Sequence, residues 1–128
     1  MSAVSKILVV DDEPGITNLV AAVLAGEGYH VEQANSADEA RQRLLSHRFS
    51  LVILDLMMPG AGGWDVYDGM RQGEVHREVP VVILSARIRD VDIKDALHVR
   101  KVADYITKPF SVEELVSRVQ GILGGGPA

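Results

Sequence analysis

The chain has no cysteine, which excludes a disulfide scaffold, a thiolate zinc site and a cysteine nucleophile. It has no apolar run approaching the roughly 20 residues of a membrane span. Its four histidines, His30, His47, His76 and His98, are scattered, and no pair has metal-ligand spacing. Basic residues are the minority, 13 Lys and Arg against 18 Asp and Glu for a net charge of -5. That balance argues against direct nucleic-acid binding, because phosphate contacts need clustered Lys and Arg. No internal repeat is present. No signal-peptide core precedes the first strand pattern, so a cytoplasmic location is expected. There remains a 128-residue chain, the size of one domain and long enough to bury about two-thirds of its unfolded surface without staples.

Strand-like and helix-like patterns alternate along it. Ile7–Val10, Leu51–Leu54 and Val81–Leu84 are continuous aliphatic runs, the mark of strands buried on both faces. Val31–Ala34 and Asp104–Ile106 are shorter strand candidates. A helix pattern opens near Pro14, with Ile16, Leu19, Val20, Val23 and Leu24 at helical spacing, and stops at Gly26 and Gly28. Ser36 with Glu39 and Ser111 with Glu114 are capping-box patterns. They open helices running through Ala40, Leu44 and Leu45, and through Leu115, Val119 and Ile122. Residues 59–63 form a Gly-rich loop, Trp64–Arg71 a third helix, and Asp90–Arg100 a weakly amphipathic fourth with a broken apolar period. From Gly124 the tail reads as a helix stop and then flexible chain or the start of a linker. Five strands and five helices in strict alternation predict a parallel sheet covered on both faces. Ligands of such sheets bind at the carboxyl ends of the strands, where strand order reverses.

Polar residues stand at those ends. Strand one runs into Asp11-Asp12-Glu13, strand three into Asp55, strand four into Ser85-Ala86 and strand five into Thr107-Lys108-Pro109. Singly, each has an ordinary reading: an Asp pair caps a helix, an Asp after a strand starts a turn, a Lys is solvated. Together, three crowded carboxylates raise one another's pKa and require a cation. An all-oxygen ligand set favours Mg²⁺, with Mn²⁺ as a substitute. A lysine adds a point charge suited to phosphate, so a phosphoryl-transfer site is expected.

The motifs Ile7-Leu8-Val9-Val10-Asp11-Asp12-Glu13, Leu54-Asp55-Leu56-Met57-Met58-Pro59-Gly60, Leu84-Ser85-Ala86 and Tyr105-Ile106-Thr107-Lys108-Pro109-Phe110 resemble the receiver domain of two-component response regulators. The likeness runs from about Lys6 to Leu123, with Asp55 43 residues after Asp12 and Ser85 30 after Asp55. It implies a flavodoxin-like sheet of order 2-1-3-4-5 with five helices, and a receiver over residues 1–123. It implies that Asp55 takes a phosphoryl group from a sensor histidine kinase or histidine phosphotransfer protein. Asp12 would bind Mg²⁺ directly, Asp11 through water, and Met57 through its backbone carbonyl, with Met58 as core filler. Ser85, Ala86 and Lys108 would hold the phosphoryl group, Tyr105 would turn inward as the switch aromatic, and Pro109 would follow a cis peptide. The switching face would be helix four, strand five and helix five, signalling to a downstream partner or an effector domain.

Departures from the family pattern fall on that face. Lys101 and Val102 stand where Gly is usual, and Lys108 lies 23 residues after Ser85, one more than usual. Helix four is therefore expected to be shifted, shortened or mobile. Arg118 matches part of the charged set of dimer-forming receivers, but Ala103 and Gln120 do not, so a monomer or weak phosphorylation-dependent dimer is expected. Trp64 is expected to pack under the Gly-rich loop. A phosphorylation-independent interaction module on the same fold is the alternative, although no acidic, acceptor or lysine residue is lost. A Mg²⁺-dependent phosphate-ester hydrolase is disfavoured because Asp11-Asp12-Glu13-Pro14 is not the Asp-x-Asp pattern expected after strand one, and a flavin module because no Ser/Thr/Gly-rich phosphate loop follows that strand.

Overall fold

The computed structural model describes residues 5–60, 62–86 and 93–124. Five strands, β1 (Lys6–Val10), β2 (His30–Ala34), β3 (Leu51–Leu54), β4 (Val81–Ser85) and β5 (Asp104–Thr107), pair in parallel in the order β2-β1-β3-β4-β5. The helices are α1 (Pro14–Gly26), α2 (Ala37–Ser46), α3 (Gly63–Gln72), α4 (Asp95–Val99) and α5 (Val112–Leu123). Strand order reverses between β1 and β3, so a crevice opens at their carboxyl ends.

Side-chain alternation splits the core in two. Leu8, Val10, Val52, Leu54, Val81 and Ile83 face the layer carrying Ala40, Val66, Met70 and Ala96. Ile7, Val9, Leu51, Ile53, Val82 and Leu84 face Val20, Leu24, Leu115 and Val119. The continuous aliphatic runs are thus explained: β1, β3 and β4 are covered on both faces. Met58 is core. Leu19 and Leu45 are not, although helical spacing grouped them with the core face; both are exposed, Leu45 at 88%.

Ser36 and Ser111 cap α2 and α5 by accepting from the N–H groups of Glu39 and Glu114 at 3.1 and 3.0 Å. Glu39 reaches back one residue further than a capping box requires, accepting from the Asn35 N–H at 3.1 Å. Buried His76 accepts from the Phe49 N–H through Nε2 at 3.3 Å. Burial holds its pKa below the ordinary histidine range, against the hydrogen bond it makes to the backbone of His47 and with help from the Arg48 charge.

The fourth helix is irregular, in line with the departures in its segment. Residues 90–92 of that expected helix and 125–128 of the tail lie outside the described residues. From Asp95 the chain forms not a weakly amphipathic α-helix but a wide turn. The Arg100 N–H donates to the Asp95 carbonyl, five residues back, at 2.9 Å, and the Val102 N–H donates to the Ala96 carbonyl at 3.0 Å. A π-type turn holds one residue more than an α turn, which is where an extra residue before Lys108 can be absorbed. It also scrambles the 3.6-residue period, which is why no clean apolar stripe was legible there.

Lys101 ends the turn with φ of 59°, a left-handed conformation that disfavours side chains. Lys101→Gly is expected to raise stability by about 1 kcal/mol. A thermal melt should read this as a rise of roughly 3–6 °C; an unchanged melt would show that the conformation carries no strain.

Trp64 packs against the buried cluster that includes Val66 and Tyr67. Its half-buried ring meets Tyr67 edge-on at 5.4 Å, and the Arg100 guanidinium lies over its face at 4.3 Å. Arg118 is engaged within its own chain, with Asp104 at 2.6 Å and Glu114 at 3.6 Å.

Candidate functional site

Sheet hydrogen bonding carries the site residues to the crevice. The Asp11 N–H donates to the Ala34 carbonyl at 3.1 Å and the Asp55 N–H to the Val10 carbonyl at 2.9 Å. On the far side, the Lys108 N–H donates to the Ser85 carbonyl at 2.8 Å. Each residue is therefore the last rung of a ladder, held by backbone and aimed by its strand. Asp11, Asp55 and Ser85 are buried, Asp12 is half-buried and Ala86 exposed. The Lys108–Pro109 peptide is cis.

Asp11, Asp12 and Asp55 converge, each offering a carboxylate oxygen within 4.8 Å of the other two. The ammonium of Lys108 enters the same space, 2.6 Å from Asp11 Oδ2 and 3.6 Å from Asp55 Oδ2. Glu13 reaches it from the rim at 3.7 Å. The two aspartates after β1 are not helix caps: Glu13 is the cap residue of α1, and its N–H donates to Asp11 Oδ1 at 3.0 Å.

Burial pushes the Asp55 carboxyl above the usual carboxylate range. The Met57 N–H, which donates to Asp55 Oδ1 at 3.1 Å, and the Lys108 charge oppose this, while Asp11 and Asp12 add to it. For Lys108, burial works against the ammonium, but the Asp11 hydrogen bond and the charges of Asp55, Asp11 and Glu13 outweigh it, so its pKa rises. One half-buried ammonium thus faces a group of crowded carboxylates. Such a cluster is costly by itself, and a hard divalent cation fits its all-oxygen donor set.

A raised folded-state pKa means that Asp55 adds stability below its unfolded value near 3.9 and loses it as pH rises through the folded value. Asp55→Asn is therefore expected to melt a few degrees higher than the parent at neutral pH without divalent cation. The gap should close as pH falls toward about 4. Millimolar Mg²⁺ should narrow it from the other side by raising the parent. A variant that melts lower at neutral pH would contradict this charge balance.

Sequence reasoning missed the supports of the cluster. The Asn35 side-chain amide donates to the Asp11 carbonyl at 2.9 Å and to Thr17 Oγ1 at 3.0 Å. Gly63 packs so closely behind Asp55 that a Cβ there would meet the Asp55 carbonyl oxygen at 2.3 Å. The only sequence trace of that contact is the Gly-rich composition of the loop. Tyr105 is already inside, 7% exposed, in the same buried cluster as Ala96 and Val102.

A doubly wound parallel sheet with an acidic crevice, a lysine opposite and a hydroxyl on the neighbouring strand defines a phosphate-handling switch domain of the flavodoxin-like class. The chain matches the family model of the response regulator receiver domain over residues 7–120 and belongs to that family. It is 38% identical to the transcriptional regulatory protein TrcR of Mycobacterium tuberculosis over 118 residues, 92% of this chain and 45% of that one. It is also 38% identical to ResD of Bacillus subtilis, over 93% of this chain and 48% of the other. The chain thus spans about half the length of the curated relatives it matches. Among solved structures it resembles the chemotaxis protein CheY4 of Vibrio cholerae, with a TM-score of 0.87 and 28% identity over 94% and 99% of the two chains. It also resembles TrrA of Thermotoga maritima in complex with Mg²⁺-BeF, with a TM-score of 0.78 and 32% identity over 92% and 98%. It is a receiver domain of two-component signal transduction. No described helix is long and apolar enough to cross a membrane.

Proposed function

We propose that Asp55 is the phospho-acceptor and that Asp11, Asp12, Asp55 and the Met57 carbonyl hold Mg²⁺. The observation that carries this is a buried carboxylate with two others beside it and an ammonium 3.6 Å away. The structure of TrrA with Mg²⁺-BeF supports the metal by relationship. An Asp55 carboxylate oxygen attacks the phosphorus of a phosphohistidine on a kinase or phosphotransfer protein. The new O–P bond forms as the P–N bond breaks, and the imidazole leaves with the electron pair. Mg²⁺ held by Asp11, Asp12, Asp55 and the Met57 carbonyl would neutralise charge on the transferring group.

Lys108 answers the added charge. It lies on Asp11 at 2.6 Å, and phosphoryl oxygens near Asp55 compete for it. Ser85 and the Ala86 N–H close on the same oxygens from β4. Charge-assisted bonds of this kind contribute about 1.5–3 kcal/mol each, enough in sum to shift a two-state equilibrium that needs roughly 5.5 kcal/mol to invert. Tyr105 and the α4-β5-α5 face carry the change to a downstream partner or an effector domain beyond residue 123. The domain itself is a switch working in the cytoplasm, not a turnover enzyme.

Incubation with acetyl phosphate, with and without Mg²⁺, followed by intact mass measurement tests the reading. One Mg²⁺-dependent phosphoryl adduct is expected, absent from Asp55→Asn. A folded parent that neither takes the adduct nor binds Mg²⁺ would refute it.

A further inference from the structure

Arg100 is engaged through both its backbone and its side chain. Its N–H closes the wide turn on the Asp95 carbonyl. Its carbonyl accepts from the Tyr67 hydroxyl. Its guanidinium covers the Trp64 ring at 4.3 Å and binds Asp68 at 3.0 Å, with Asp95 at 3.7 Å. Trp64, Tyr67 and Asp68 all belong to α3, so one residue ties the end of α4 to the neighbouring helix by three separate contacts. The next residue is Lys101, in its left-handed conformation.

A π-type turn is rarely favoured on its own, and such turns concentrate at functional sites. In an α turn the amide of residue 100 would bond to the Ala96 carbonyl, four residues back. That carbonyl is here taken by the Val102 N–H. Rewinding α4 therefore shifts one residue into the junction with β5. The same rewinding breaks the Ala96–Val102 bond that sets where Lys101 turns, and β5 carries Tyr105 and leads directly into Lys108.

We propose that Arg100 is the clasp that holds α4 in its wide register, and that release of this clasp is a one-residue register switch joining α4 to β5. Arg100 is a positioning residue: its contacts are with α3 and its own turn, and it works through the path of the chain into Tyr105 and Lys108. The clasp itself is independent of the phospho-acceptor reading; only its coupling to Asp55 rests on it.

The direct test reads hydrogen-bond partners by NMR, through scalar coupling across the bond from the amide nitrogen of residue 100. In the parent chain the coupling is expected to the Asp95 carbonyl. In Arg100→Ala it should move to the Ala96 carbonyl, and in Arg100→Lys, which keeps a cation for Trp64 and Asp68, it should stay on Asp95. Trp64→Leu with Asp68→Asn removes the partners but keeps Arg100, and should act like Arg100→Ala; it serves if that variant does not fold. A wide turn that persists without the clasp overturns the proposal.

For the coupling, Arg100→Ala is expected to reach half-phosphorylation at about tenfold lower acetyl phosphate than the parent, a ratio equivalent to about 1.4 kcal/mol. Equal occupancy curves, with the register shift observed, overturn the coupling and leave the clasp standing. A parent that takes no adduct refutes the phospho-acceptor reading and the coupling with it, while the NMR result still decides the clasp.

Discussion

Replacing Gly63 with alanine is expected to lower stability by about 3 kcal/mol and to slow phosphorylation of Asp55 roughly 100-fold. The added methyl would meet not a flexible side chain but backbone: the Asp55 carbonyl oxygen at 2.3 Å and the Leu56 Cα at 2.9 Å. Those atoms belong to the backbone of Asp55 and of the residue after it, so relief of the clash moves the Asp55 carboxylate with it. Gly62→Ala is the matched control, because its Cβ would lie 3.6 Å from the Leu56 carbonyl oxygen, an ordinary contact. A melt and an adduct time course on both variants separate the effects. Equal behaviour of the two would show that the loop gives way freely and that Asp55 is not seated by it.

Lys108→Ala is expected to cost a similar amount, about 3 kcal/mol, in the absence of divalent cation. The loss comes less from the lysine's own contacts than from the charges it leaves unanswered. Asp11 and Asp55 are 1% and 3% exposed in their side chains, and the ammonium 2.6 and 3.6 Å away is their neutralising partner. Their charges would then face one another with water largely excluded. The diagnostic is the sign of a second change. Asp11→Asn on the Lys108→Ala background should recover stability, although it removes another charged group, and Mg²⁺ should recover it too. Further loss in the double variant would mean that the lysine acts by packing alone.

Much of this arrangement was legible in the sequence because parallel sheets write their signal plainly. Both-face burial makes β1, β3 and β4 unbroken aliphatic runs, and each run ends on the residue that enters the crevice. The expected sheet order, the family and the cis peptide before Pro109 are all present. The illegible parts have a common cause. Asn35 reaches Asp11 and Thr17 across 24 and 18 residues of sequence, and no local spacing records such a meeting. The Gly63 contact is a matter of backbone approach, invisible in a loop where several glycines look alike. Helical spacing placed Leu19 and Leu45 with the core because a stripe drawn at three and four residues is wider than the surface actually covered. The form of the fourth helix was illegible for a different reason: its turn does not have the period that was sought. The extra residue before Lys108 was visible as a count, but its form as a π turn was not.

The contact between Lys108 and Asp11 joins residues 97 apart in sequence, across nearly the full span of the fold. While the chain is being made, the acidic residues emerge early and their cation only after β5, at a pace of about 5–20 residues per second. For several seconds the ribosome therefore displays the carboxylates without their counter-charge, on a sheet still lacking its edge strand. The last strand in is the one that completes the electrostatics, so a nascent or prematurely ended chain cannot imitate a finished one. The charge balance of the crevice is therefore settled only when β5 and the lysine that follows it are in place.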